Sequence, residues 1–177
     1  MKISTNRGAS SIVVLIVVVI AIAATLFFIN KQNAQPEEIS GVLKDAVVSE
    51  AGYVGEVLAG TSSLVLDFNQ VDYDKAIESD KLVVLYFFAT WCPICIVEVE
   101  NELFPAFDEL TTDQVVGFRI NFNDTSTSDE EKALAREFGI AFQHTKVFVK
   151  NGERILKTPE SWEKAQYLEE INGALSL

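Results

Sequence analysis

Cysteine is nearly absent from this chain: its 177 residues hold two, Cys92 and Cys95, three positions apart. The disulfide framework that braces small secreted domains is therefore excluded. Histidine is scarcer still, with His144 alone, so a structural zinc site with four thiol or imidazole ligands cannot be completed. Proline is limited to four residues while 49% of the chain is apolar, which excludes a disordered or low-complexity protein. Basic residues are also few. All 26 acidic residues lie beyond Asn30, and nothing after that point forms a basic stripe. Nucleic acid and anionic headgroups would be repelled, and neither is expected as a partner.

What is present begins with an apolar run from Ile12 to Ile29, broken only by Thr25. It is long enough to cross a bilayer. Lys2 and Arg7 precede it, which predicts a cytoplasmic stretch at residues 1–11, a transmembrane helix at 12–30 in contact with the lipid bilayer, and an exported remainder. A cleaved export signal is the alternative, since Ala21-Ile22-Ala23 fits a small-x-small cleavage pattern, but Leu26-Phe27-Phe28-Ile29 prolongs the run beyond it. Both place the domain outside, and the uncleaved form places it at the cell membrane as a single-pass protein. Residues 31–63 mix charges, glycines and short apolar pieces without a period and are expected to be a juxtamembrane tether, part of it packed on the domain.

From Leu64 the pattern becomes one of strands alternating with helices, and residues 64–177 are expected to form one domain. Leu64 to Phe68 reads as a strand, and Tyr73 to Glu78 as a short helix capped near Asp72. Leu82 to Phe88 is a continuous apolar run of strand length, as in a central strand buried on both faces. Pro93 suits the first position of a helix and places Cys92 at its N-cap. Cys95, Val99, Leu103 and Leu110 then share a face, Glu98 falls off it, and Pro105 should kink or divide the helix. Val115 to Phe122 is a strand, and Ser128 with Glu131 makes a capping box for a helix that Gly139 closes. Asn151-Gly152 turns a hairpin between Lys146–Val149 and Arg154–Leu156, and a last helix runs from Thr158-Pro159 to Ala174. The fold class is α/β: a three-layer sandwich whose mixed central sheet carries helices on both faces.

Two cysteines separated by two residues close too small a loop to stabilise a fold by chain entropy. Their placement suits redox chemistry. At a helix N-terminus the thiolate of Cys92 is favoured over the thiol by the dipole and the free backbone N–H groups. Cys92 can attack a substrate disulfide, and Cys95 can then displace the substrate from the mixed disulfide. With two cysteines in all, no internal relay exists and an external redox partner must recharge the pair. No cofactor is required. The alternative use of these residues is binding, with Cys92, Cys95 and His144 holding copper or zinc, or the domain serving as a substrate-binding module.

From about Leu64 to Ala174 the chain resembles thioredoxin. The resemblance rests on Phe88-Ala89-Thr90-Trp91-Cys92-Pro93-Ile94-Cys95, on Phe138-Gly139-Ile140 and on Lys150-Asn151-Gly152-Glu153, in the family's order and spacing. It implies a thiol-disulfide oxidoreductase with Cys92 as exposed nucleophile, Cys95 as buried resolver and Trp91 flanking the substrate surface. An anchor with an exported domain is similar to bacterial membrane-tethered thioredoxin-like proteins, which implies thiols or disulfides of exported proteins as substrates. Three positions depart from the family. Pro93-Ile94 replaces the glycine-proline pair between the cysteines. Tyr86 replaces a buried acid six positions before the first cysteine, for which Glu98 is either a substitute or a solvated helix residue. His144, followed by Thr145, occupies the position of the cis-proline beside the cysteines, where it either modulates Cys92 or merely fills a turn.

Overall fold

The computed structural model describes residues 52–177; the expected span at 12–30 and most of the tether lie outside them. Among the described residues no helix is long and apolar enough to cross a membrane. The elements are β1 (Val57–Ala59), β2 (Leu64–Asp67), α1 (Gln70–Ile77), β3 (Leu82–Phe88), α2 (Pro93–Glu98), α3 (Phe104–Glu109), β4 (Val115–Asn121), α4 (Asp129–Glu137), β5 (Thr145–Lys150), β6 (Glu153–Thr158) and α5 (Lys164–Leu175). The strands form one sheet in the order β1-β2-β4-β3-β5-β6. β4 runs parallel to β2 and β3, while β1, β5 and β6 join antiparallel.

The continuous apolar sequence of β3 follows from its place inside the sheet. Leu82, Val84, Tyr86 and Phe88 join one buried cluster, with Cys95, Val99, Phe107 and Tyr167 from the helices above. Val83, Leu85 and Phe87 join the other, with Tyr73, Leu134 and Ala135 from α1 and α4. Side chains alternate across a strand, so a strand covered on both faces has no polar position to offer. This is the expected three-layer α/β architecture.

Several boundaries differ from the sequence expectation. β1 and its approach lie within the stretch assigned to the tether. There Asp72, 1% exposed, accepts from the backbone N–H groups of Val54 and Gly55 at 3.0 and 2.7 Å. α1 therefore starts earlier than expected, with Asn69 rather than Asp72 as its cap, because Asp72 is engaged in holding that incoming segment. β6 persists through Thr158, so α5 begins at Lys164 instead of at Pro159. The capping box of Ser128 and Glu131 forms as expected, and Asn151 and Gly152 take positive φ of 53° and 74°, as a tight hairpin turn requires.

Pro105 divides its helix without breaking it. A π-helical stretch at Val99–Leu103 joins α2 to α3, and the N–H of Phe104 reaches back to the carbonyl of Val99. Widening the turn absorbs the amide hydrogen that proline lacks. The chain can thus keep the cysteines at one end and the ring of Phe107 on the sheet at the other.

That ring lies where a side chain on β4 would stand, since a Cβ added at Gly117 would come within 2.9 Å of Phe107 Cζ. Phe107 is fully buried and cannot turn aside. Gly117→Ala is expected to destabilise the domain by about 1–3 kcal/mol, read as a lower urea midpoint at unchanged slope.

Candidate active site

The site is built where β3 ends and α2 begins. Cys92 is in extended conformation at the N-cap, and its Sγ accepts from the backbone N–H of Cys95 at 3.2 Å. Pro93 occupies the first turn and enforces that arrangement. The two cysteines are joined as a disulfide with their Cα atoms 5.3 Å apart. Cys92 retains 6% of its surface and Cys95 none. The expected order of accessibility holds, but Cys92 is not exposed in this state, because its sulfur is bonded to Cys95 and turned toward the helix.

The rim is apolar and open. Trp91, Ile94 and Val97 are 53%, 61% and 57% exposed, and Phe142 on the loop leading into β5 is 66% exposed. Trp91 is held in place by donating from Nε1 to the carbonyl of Asn123 at 2.9 Å. The next residue, Asp124, accepts from the N–H and the hydroxyl of Thr90 at 2.7 and 2.5 Å. Those two bonds hold the Asp124 carboxyl down at about 2. The loop after β4 is thereby tied to the motif, a role that its sequence did not signal.

Beneath the cysteines is a cluster of buried polar groups. Glu98 is 3% exposed, so it is no solvated residue; with Cys95 it forms the buried side of α2. Its Oε1 accepts from Lys146 Nζ at 2.8 Å and from the Tyr167 hydroxyl at 2.5 Å. Its Oε2 lies 2.9 Å from His144 Nε2, out of line for a hydrogen bond, and has no other partner. Burial pushes the Glu98 carboxyl up, but the neighbouring His144 ring and the hydrogen bonds from Lys146 and Tyr167 outweigh it and leave the carboxyl below its ordinary range. Burial likewise lowers Lys146, against the opposing pull of Glu98.

Tyr86 and Lys146 face each other across β3 and β5 in register. The Lys146 ammonium stands 5.4 Å from the ring centres of both Tyr86 and Trp162. Lys146 and Tyr167 were missed in the sequence. Lysine at an inward position of an otherwise apolar strand was the available signal, since a buried ammonium demands a carboxylate.

His144 precedes β5 with a φ of +72°, a left-handed conformation unusual for a side-chain-bearing residue. Its backbone N–H bonds the carbonyl of Phe87 at 2.6 Å, which sets the loop against the end of β3. Its ring spans Tyr86 Oη (2.8 Å from Nδ1) and Ser161 Oγ (2.8 Å from Nε2). Both ring nitrogens are therefore engaged. Among the described residues no three His, Cys, Asp or Glu side chains are arranged to hold a metal ion. In this state Cys92 and Cys95 are bonded to each other and the His144 imidazole contacts Tyr86 and Ser161.

The thioredoxin family profile matches residues 64–173. The chain belongs to the thioredoxin family. Thioredoxin H4 of Arabidopsis thaliana is 37% identical over 89 residues, covering 49% of this chain and 66% of that protein, just under two thirds of its length. A Thioredoxin H-type protein of Brassica campestris is 32% identical across 63% of this chain and 81% of its own. Among solved structures, thioredoxin f from spinach chloroplast (short form) superposes with a TM-score of 0.51 at 24% identity, over 68% of this chain and 98% of that one. This structural likeness shows the thioredoxin fold.

Lys146→Met is expected to cost about 3–5 kcal/mol, because it strands a buried carboxylate. Adding Glu98→Gln to it should recover much of that loss in urea denaturation at neutral pH. Since the folded pKa of Glu98 lies below its unfolded value, its stabilisation is complete above the ordinary glutamate range and lost as pH falls through the folded pKa. Denaturation across acid pH should show a shallower loss in Glu98→Gln than in the wild type.

Proposed function

We propose that this chain is a protein thiol-disulfide oxidoreductase working through Cys92 and Cys95. The observation that carries the proposal is the placement of Cys92 as N-cap, with its sulfur on the N–H and within bonding reach of Cys95. Once the pair is reduced, that N–H and the helix dipole stabilise the Cys92 thiolate. The thiolate attacks one sulfur of a substrate disulfide, and the other substrate sulfur leaves as a thiolate. Cys95 then attacks Cys92 Sγ, the bond to the substrate breaks, and the cysteines end as the disulfide seen here. An external dithiol partner reduces them again, since the chain has no third cysteine.

The substrates we propose are exported proteins, docked on the apolar rim of Trp91, Ile94, Val97 and Phe142. In this reading residues 12–30 anchor the domain in the cell membrane, with residues 1–11 cytoplasmic and the domain outside. Its support is the apolar run broken only by Thr25, the basic residues before it and the net acidic chain after it.

Reduction of insulin by the wild type with dithiothreitol is expected to fall to background in Cys92→Ser. Cys95→Ser should instead accumulate a mixed disulfide, visible as a thiol-sensitive adduct in non-reducing gels. Turnover that survives Cys92→Ser would exclude the mechanism. For the location, the full chain should resist alkaline carbonate extraction from membranes, and its domain should be cut by protease added to the outside of intact spheroplasts. Release into the wash, or protection from the protease, would exclude the exported anchor.

A further inference from the structure

Cys92 is delivered to its N-cap position by a tight turn. The N–H of Cys92 closes back on the carbonyl of Ala89 at 3.1 Å, which leaves Thr90 and Trp91 at the two corners. Ala89 and Cys92 belong to the buried cluster on that face of the sheet, whereas Thr90 and Trp91 are exposed and do not. The corners therefore depend on hydrogen bonds, and these run to the loop after β4. Asp124 Oδ2 accepts from both the N–H and the hydroxyl of Thr90, while the Asn123 carbonyl accepts from the indole of Trp91.

The loop is itself braced. Its root is fixed by the N–H of Phe122 on the carbonyl of Phe88 at 2.7 Å. Asp124 donates its own N–H to the Thr127 hydroxyl at 2.9 Å, and its carbonyl accepts from the N–H of Thr127 at 3.1 Å. The second carboxylate oxygen, Oδ1, accepts from the N–H of Ser126 at 3.1 Å and the hydroxyl of Thr125 at 3.3 Å. One carboxylate thus links a self-supporting loop to a turn whose corners lack packing. We propose that Asp124 is a positioning residue of the reaction. By holding Thr90 it fixes the turn that presents the Cys92 sulfur and the Trp91 ring to a substrate. It thereby sets the rate at which the Cys92 thiolate bonds one substrate sulfur and the other departs as a thiolate. This inference rests on the oxidoreductase reading above.

The carboxylate has two effects of opposite sign. As a charge it disfavours the Cys92 thiolate, so removing it would raise the share of thiolate at neutral pH and speed the attack. As a latch it limits the turn, and losing it lets sulfur and ring leave the geometry of attack, for which a displacement of about 1 Å can cost about 100-fold. The latch outweighs the charge, because Thr90 supplies two donors to the carboxylate and water screens an exposed group. Those donors hold the Asp124 carboxyl at about 2, so the latch stays closed over the whole range in which a thiol ionises.

The test is stopped-flow reaction of the reduced full chain with a disulfide peptide, in a Cys95→Ser background where the mixed disulfide accumulates. Its rate of formation is followed from mildly acid to alkaline pH. In Asp124→Ala the plateau rate is expected to fall about 10-fold, with the midpoint of the pH profile no lower than in the parent. Thr90→Val, which loses the hydroxyl and keeps the N–H, should fall part of the way, and Thr90→Ser should recover most of that loss. The double variant Asp124→Ala/Thr90→Val should be no slower than Asp124→Ala alone, because the two groups act through one contact. An unchanged plateau in Asp124→Ala, or a faster neutral rate with a lowered midpoint, overturns the positioning role and leaves the cysteine mechanism standing. Should Asp124→Ala fail to fold, the Thr90 pair decides, and equal rates in Thr90→Val and Thr90→Ser overturn it. A parent that forms no mixed disulfide overturns both readings.

Discussion

A lysine with no solvent contact must meet a negative charge, and in this domain Lys146 meets Glu98 across 2.8 Å. The desolvation cost of two such ions is offset only when their remaining hydrogen-bonding capacity is met. Here that need recruits Tyr167 from the last helix and the Glu160 carbonyl from the loop before it, while His144 from the loop before β5 stands 2.9 Å from the other carboxylate oxygen. The pair therefore ties α2, β5 and α5 together at one point. That point lies directly behind the cysteines, so the position of α2 over the sheet, and with it the N-cap geometry of Cys92, depends on it.

The layers around this pair explain why the charges can be kept there at all. β3 supplies Tyr86 and β5 supplies Lys146 at paired positions of the same sheet face, and the divided helix with α5 closes that face. The π-helical stretch before Pro105 keeps the helix continuous from the cysteines to Phe107, which packs against Gly117. On the outer side, hydrogen bonds from Thr90 and Trp91 to the loop after β4 hold the motif from the other direction. The disulfide is thus seated between a rigid polar base and an open apolar rim.

The domain shares the fold of its family and holds its two cysteines as a disulfide above a buried charge pair. Tyr86 is buried on β3, and the buried carboxylate comes from Glu98 on the helix, one turn beyond Cys95. His144 bonds that tyrosine through one ring nitrogen and approaches the carboxylate with the other. Tyr86 and His144 thus act as one unit, because a phenol O–H provides a donor that a histidine nitrogen can accept.

Local patterns made much of this legible in the sequence. The apolar run of β3, the capping box at Ser128, the Asn151-Gly152 turn and the Cys92-Pro93 helix start each depend on neighbours within a few residues, and all formed as expected. The motif likewise identified the two sulfurs that the fold joins as a disulfide. Other features depended on distant partners. Asp72 looked like a helix cap until the segment at Val54 and Gly55 was seen bonded to it. Glu98 fell off the apolar face of an ideal helix, but Lys146 and Tyr167, 48 and 69 residues away, draw it inward. The sequence by itself determined the family, the layers and the place of the cysteine pair at a helix start, because periodicity and caps are local. Only the tertiary structure decided the electrostatics beneath the disulfide, because a buried charge takes its meaning from whichever residues the fold brings to it.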